Sequence, residues 1–297
     1  MRVNYLDLFS GCGGFRKGLE EAGFTFEWEG HSEIDKHAKK VYQKHFPNSE
    51  DLGDVRTVNP DKLPKIDVIT FGFPCQDLSV AGKQAGLSGS RSGLFFEAMR
   101  IVRTARPRYF IFENVKGLFS SNEGRDWLTV LREVADTGYD GQWQLLNTRW
   151  FLPQNRERVY FVGHIRGEYR PQIFPIRETT QSHIKSQQVA NCLDSNYHKG
   201  WLDNNQRSMV YSIETPTLPW TSREQNIQQE ESLCLRTTKE HGIIINGSIR
   251  RFTPNECARL QGFPDNWHGD VSDTQAYRMY GNAVSVPVVK AVAERLL

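Results

Sequence analysis

Four residues of this 297-residue chain have types and surroundings suited to covalent and acid–base chemistry: Cys75, Glu113, Arg156 and Arg158. Cys75 stands directly behind Pro74 in DVITFGFPCQDLS, residues 67 to 79. Proline donates no ladder hydrogen bond and restricts the residue before it, so an apolar strand here must end near Phe73 and leave the thiol on the loop beyond. Glu113 follows the next apolar run, RYFIF, and QNRER supplies Arg156 and Arg158 just before the run RVYFVGHI. A cysteine becomes a nucleophile when positive neighbours favour its thiolate, which arginines on a folded-over loop can do. A glutamate beside a ring nitrogen can donate a proton to it and draw electron density from the ring. The competing readings are a small buried hydrophobe for Cys75, a helix-start acid for Glu113 and solvated loop positions for the arginines.

A second group suits a nucleoside. YLDLFSGCGGF runs an apolar strand into Gly11, Gly13 and Gly14 and then into a helix, a geometry that brings backbone N–H groups close to a ligand. Arg16 stands where the dinucleotide fingerprint needs its third glycine, so the motif is not G-x-G-x-x-G. Glu33 follows the next strand at the distance where a carboxylate takes ribose hydroxyls, and Asp54 lies in LGDV after a third strand. No Walker lysine is present, which argues against nucleotide hydrolysis.

These groups need a scaffold that gathers strand ends. The first 165 residues alternate short apolar runs with amphipathic stretches, strand then helix, which predicts an α/β doubly wound, mostly parallel sheet. In such a sheet the carboxyl ends of the strands share one edge, where Cys75 and Glu113 would meet beside the glycine turn. From about Arg177 to Gln229 the chain turns to Gln, Ser, Asn and Thr, a loop-rich unit. TPNECARLQGF then starts like a capped helix at Thr253 and Pro254, and YGNAVSVPVVKAVAERLL reads as an apolar terminal helix. The expected division is a large domain of residues 1–175 completed by 270–297, with a small domain of 176–269 between. Five cysteines (Cys12, Cys75, Cys192, Cys234, Cys257) without Cys-x-x-Cys or metal-ligand spacing indicate neither a disulfide framework nor a metal site. No stretch reads as a signal peptide or membrane span, so the expected location is the cytoplasm. A net charge of +2 neither requires nor excludes a nucleic-acid partner.

DLFSGCGGF, GFPCQDLS, ENV, QNRER, RRFTPNECARLQGFPD and YGNAVSVPV occur here in the order found in bacterial-type DNA (cytosine-5) methyltransferases, which the chain resembles except over about residues 177 to 249. The resemblance implies a fold of the S-adenosylmethionine-dependent methyltransferase, Rossmann-like type, and catalysis on a cytosine flipped out of duplex DNA. It implies that Cys75 attacks carbon 6, that Glu113 protonates nitrogen 3, that Arg158 contacts the base oxygen and that Arg156 supports the thiol loop. For S-adenosyl-L-methionine, leaving as S-adenosyl-L-homocysteine, it implies Phe9 against the adenine, Gly11, Gly13 and Gly14 near the methionine part, Glu33 on the ribose and Asp54 on the adenine amino group. Ile34, Val55, Pro74, Leu94, Asn282 and Val284 would complete that pocket. Ile34 is a departure, because well-studied members often carry a tryptophan there. The glycine- and serine-rich stretch SVAGKQAGLSGSRSG looks like a lid that closes over the base.

The small domain would read the target sequence. Seven Lys/Arg face seven Asp/Glu between Asp194 and Arg251, so readout there must come from placed side chains rather than a basic patch. Candidates are Asn196, Tyr197 and Lys199 in one polar loop and Arg236, Thr237, Thr238 and Lys239 in another, with Gln76 and Ser79 beside the thiol. The expected partner is double-stranded DNA, acted on by a monomer, with a restriction endonuclease encoded alongside but not stably bound. The alternatives are a tRNA methyltransferase of the same fold, a non-catalytic DNA-binding relative, disfavoured by intact Cys75, Glu113, Arg156 and Arg158, and a Rossmann oxidoreductase, which fails on Arg16.

Overall fold

The computed structural model describes residues 1–73, 93–168, 171–177 and 252–297, together with the backbone of 190–191, 243–245 and 248–250. Pro74, Cys75, Gln76 and Ser79, most of the lid-like stretch, and Asn196, Tyr197, Lys199, Arg236, Thr237, Thr238 and Lys239 lie outside the described residues. Contacts divide the chain into two units, one of Met1–Asn147, Glu157–Arg177 and Ala283–Leu297, the other of Thr148–Arg156 and Glu178–Asn282.

The first unit is built on β1 (Arg2–Leu8), α1 (Gly14–Glu21), β2 (Thr25–Ser32), α2 (Lys36–His45), β3 (Glu50–Asp51), β4 (Val68–Phe71), α3 (Gly93–Ala105), β5 (Tyr109–Val115), α4 (Arg125–Asp136) and β6 (Tyr139–Asn147). After β7 (Gln154–Asn155), which belongs to the second unit, β8 (Glu157–Ile165) returns to the sheet. The seven strands lie in the order β3-β2-β1-β4-β5-β8-β6. The first five are parallel, with β1 between β2 and β4, and β8 runs antiparallel to both β5 and β6. Chain order reverses between β1 and β4, the switch point at which open α/β sheets bind ligands outside their carboxyl ends.

The strands read as continuous apolar runs because helices cover the sheet. VITF of β4 is buried throughout, and Leu6, Leu8, Ile69, Phe71, Phe110, Phe112 and Phe161 join Phe95, Met99 and Val102 of α3 in one core. Strand β4 stops at Phe71, two residues before Phe73, so Gly72 and Phe73 already belong to the connection leading to Pro74.

The second unit pairs β7 with β9 (Ala190–Asn191) and β10 (Ile243–Ile245) with β11 (Ser248–Arg250), and adds α5 (Pro254–Gln261) and α6 (Asp273–Asn282). The capped start of α5 forms as read: Thr253 Oγ1 accepts from Glu256 N, and the Glu256 carboxylate accepts from Thr253 N at 2.7 Å. The terminal stretch corrects the reading of one helix. YGN ends α6, the helical course is interrupted at Ala283–Ser285, and α7 (Val286–Ala293) begins with Ser285 as N-cap and Pro287 in its first turn. A proline there cannot continue a preceding helix but is pre-organised for starting one. Helix α7 packs on α1 so closely that a Cβ on Gly18 would sit 2.5 Å from Val289.

Candidate active site

Each end of the parallel strands contributes a group. After β1, Phe9 adopts a left-handed backbone (φ 53), as do Gly11 (φ 54) and Gly13 (φ 92), which turns the chain sharply into α1. A Cβ on Gly11 would meet nothing within 4 Å, so the turn opens onto free space, whereas one on Gly13 would strike the Phe46 ring at 2.4 Å. The turn is fixed from beneath. Arg16 is buried between the rings of Phe26 and Phe46, with its guanidinium carbon 3.7 and 4.6 Å from their centroids, and it pairs with buried Glu29 of β2. The residue that breaks the dinucleotide fingerprint thus braces the turn.

After β2, Glu33 accepts three backbone N–H bonds at 2.8 Å: Gly11 N on Oε2, Ile34 N and Asp35 N on Oε1. The carboxylate therefore staples the glycine turn to the start of α2, and the Gly11 N–H that the sequence left available for a ligand points at Glu33. Ile34 beside it is 72% exposed. After β3, Asp54 caps a short 3-10 turn (Val55–Thr57) and takes both Nε and Nη2 of Arg56; these hydrogen bonds hold its carboxyl below the usual range. Val55 is buried in the core, so its backbone alone can serve a ligand, while Leu94, at the start of α3, is partly buried against the same core.

After β4 and β5 come the groups suited to chemistry. Glu113 is buried on β5, and its carboxylate pairs with Arg158 Nε of β8 at 3.1 Å. The antiparallel register sets Arg158 opposite Val115, diagonal to Glu113. Gly72 closes the other side, since a Cβ there would lie 3.7 Å from Glu113 Oε2. Asn114 Nδ2 donates to Phe73 O at 3.3 Å, tying β5 to the last described residue before Pro74. The sequence reading missed this role of Asn114, although ENV as a strand end was the available signal. Arg156 belongs to the second unit, where it is buried and Nη1 donates to Gly281 O at 3.2 Å. Asn282 is exposed in that unit, and Val284 is buried in the first.

Two of the five thiols fall among the described residues, and neither suits nucleophilic work. Burial pushes Cys12 up to about 12 and raises Cys257 as well, so both stay protonated near neutral pH. Among the described residues no group of three or more His, Cys, Asp or Glu side chains could hold a metal ion, and no helix is long and apolar enough to cross a membrane.

The doubly wound sheet thus carries a glycine turn after β1, carboxylates after β2 and β3, and a buried Glu113–Arg158 pair between β5 and β8. The family described as C-5 cytosine-specific DNA methylase matches residues 3–297, and the chain belongs to it. The chain is 36% identical over 309 residues to the type II methyltransferase M1.ScrFI of Lactococcus lactis subsp. cremoris, covering all of this chain and 78% of that protein. It is 34% identical over 292 residues to M.NgoBI of Neisseria gonorrhoeae, covering 96% and 90%. Among solved structures, the methyltransferase EhMeth of Entamoeba histolytica aligns with a TM-score of 0.71 at 18% identity, over 100% and 98% of the two chains, a likeness of fold. The protein methylates carbon 5 of cytosine in DNA, and the family implies S-adenosylmethionine as methyl source. DNA, rather than the RNA of the alternative, is the substrate class.

Proposed function

We propose that Cys75 is the nucleophile of this reaction and Glu113 its proton donor, acting on a cytosine flipped from a short specific sequence of duplex DNA. The observation that carries the reading is the convergence at the ends of β4 and β5: Glu113 lies against Gly72 and Asn114 holds Phe73, so the chain enters the Pro74–Cys75 segment beside a buried carboxylate. The Cys75 thiolate adds to carbon 6 while Glu113 hydrogen-bonds and protonates nitrogen 3, and electron density collects at carbon 5. Arg158, paired to Glu113, orients its carboxyl and reaches the base oxygen. After methylation a base takes the carbon 5 proton, its electron pair re-forms the carbon 5–carbon 6 double bond as the carbon 6–sulfur bond breaks and the thiolate leaves, and nitrogen 3 returns its proton to Glu113. Arg156 has the role that the resemblance implies, support of the thiol segment.

S-adenosylmethionine, when bound, supplies a methyl group on a positively charged sulfur. The residues present fit it: an open glycine turn for its methionine part, the unfilled lone pair of Glu33 for ribose hydroxyls, Asp54 for the adenine amino group, and exposed Ile34 and half-buried Phe9 for the adenine faces. Gly13, Gly14, Val55, Pro74, Leu94, Asn282 and Val284 complete the pocket, no metal takes part, and S-adenosylhomocysteine leaves. The second unit reads the sequence through Asn196, Tyr197, Lys199, Arg236, Thr237, Thr238 and Lys239, with Gln76 and Ser79 near the base. The enzyme works as a monomer in the cytoplasm, where the DNA lies. The type II names of its relatives support a restriction-modification role, with an endonuclease encoded alongside.

Replacing the target cytosine by 5-fluorocytosine tests the assignment, because fluorine cannot leave as a cation where a proton can. The expected result is an adduct that survives denaturing electrophoresis, needs S-adenosylmethionine, maps to Cys75 by peptide mass and is absent in Cys75→Ser. An adduct mapping to another cysteine, or forming equally in Cys75→Ser, would overturn it.

A further inference from the structure

Arg100 has no part in the site as proposed, yet it is bonded to that site's backbone. It projects from α3, whose Gly93 and Leu94 begin the described chain after the thiol segment, and Nη2 donates to Val55 O at 3.2 Å and Val58 O at 3.1 Å. Glu97, one turn back on α3, takes Nε at 2.8 Å and aims the guanidinium. The two carbonyls close the turn that Asp54 opens: Asp54 is its N-cap, Val55–Thr57 its body and Val58 its C-cap. Val55 O already accepts Val58 N at 3.3 Å within the turn, so the guanidinium adds a second donor to that carbonyl and caps the Val58 carbonyl beyond it. The Val55 and Val58 side chains are buried in the same core as Phe95, Ala98 and Met99 of α3, so apolar packing holds the turn down. Packing alone fixes depth, whereas bonds to two carbonyls fix rotation, and rotation decides where the Asp54 carboxylate points. Arg56 holds that carboxylate only from within the same turn and rotates with it.

We propose that Arg100, aimed by Glu97, is a positioning residue for the adenine end of the cofactor site, setting Asp54 through the backbone of Val55 and Val58; this rests on the reading of Asp54 as the adenine contact. It also joins the adenine turn to the helix that follows the thiol segment, so one side chain spans both halves of the reaction's scaffold.

The test compares the full-length protein with Arg100→Met, which keeps the aliphatic stem, Arg100→Lys, which keeps a donor for the carbonyls but loses the fork to Glu97, and Asp54→Ala. Calorimetric binding of S-adenosylmethionine and steady-state methylation of unmethylated duplex DNA are the readouts, with thermal melting as a check of folding. Arg100→Met should weaken cofactor binding about tenfold and raise its KM in step, with kcat at saturating cofactor and KM for DNA within about twofold; Arg100→Lys should weaken binding about threefold. A merely structural role would lower the active fraction and hence kcat, leaving KM unmoved. Cofactor affinity within twofold of wild type in Arg100→Met, while Asp54→Ala binds weakly, overturns the inference. Should Arg100→Met fail to fold, wild-type affinity in Arg100→Lys overturns it equally. If Asp54→Ala itself binds as the wild type does, the pocket reading fails instead.

Discussion

On the β3-β2-β1 side of the sheet, the Glu33 carboxylate is fixed by three backbone N–H groups and the turn it holds by a buried arginine between two rings. On the β4-β5-β8 side, Glu113 rises from a strand whose opposite face carries Phe110 and Phe112, packed against Phe71 and Phe161 at centroid distances of 4.8 to 6.0 Å. One half positions its acid by direction, through short polar bonds near the surface. The other positions its acid by volume, through rings that leave the strand only one depth. A site that must open to a cofactor suits the first means. An acid that must meet a ring in one place suits the second.

The contrast breaks most sharply at Phe112, which is fully buried against Phe71, Phe73, Phe95, Phe110 and Phe161. Phe112→Ala should cost about 3–5 kcal/mol of unfolding free energy by denaturant titration, since it removes the ring and leaves a cavity. Cofactor affinity of the folded fraction should change little, because the polar half does not rest on that ring. A loss below about 1 kcal/mol would mean that volume does not fix β5.

The polar half carries its own liability in Asp7 of β1, fully buried, with Thr70 Oγ1 donating to Oδ1 at 2.8 Å. Burial pushes its carboxyl up to about 8, opposed by its hydrogen bonds and by Arg16, against about 3.9 in an unfolded chain. The folded state keeps a proton that the unfolded chain has lost. The contribution of this group to stability is therefore fully present below about pH 4 and is lost as the pH rises through about 8. One such proton gives a slope of about 1.4 kcal/mol per pH unit, or about 2–3 kcal/mol between pH 5 and 7. Asp7→Asn, a neutral isostere that still accepts from Thr70, should flatten stability against pH over that window. An unchanged slope would mean that Asp7 is ionised in the fold.

The polar half was the more legible in sequence, because its devices are residue types: glycines where φ is positive and carboxylates after strand ends. What escaped notice depends on partners far along the chain. Arg16 reads as a broken motif until Glu29, Phe26 and Phe46 surround it. Strand β6 escaped because Gln142 and Gln144 make it look like a loop; their side-chain amides instead bond the backbone of Pro171, Ile173 and Ile176 along the edge of the sheet. The antiparallel course of β8, which sets Arg158 beside Glu113, leaves no mark in its own apolar pattern. Arg100 and Asn114 act on carbonyls, and a carbonyl has no letter in the sequence.

The smallest expected effect probes the open edge of the polar half. Ile34 is 72% exposed although flanked by a carboxylate that binds its own N–H, so its position is fixed while its side chain covers nothing in the protein. A branched aliphatic group there offers an adenine ring a narrow apolar contact, whereas the tryptophan common in similar enzymes offers a stacking face. Ile34→Trp should therefore tighten S-adenosylmethionine binding by about 0.5–1 kcal/mol, a gain of aromatic over aliphatic contact. Its melting temperature should stay put, since the side chain supports no core. Calorimetry with S-adenosylhomocysteine, which keeps the adenine but lacks the methyl, should show the same gain, because the added contact is to the base. A gain for neither ligand would place the adenine away from Ile34 and leave Phe9 and Asp54 as its neighbours. Set beside Phe112→Ala, which moves stability and spares binding, this variant should move binding and spare stability.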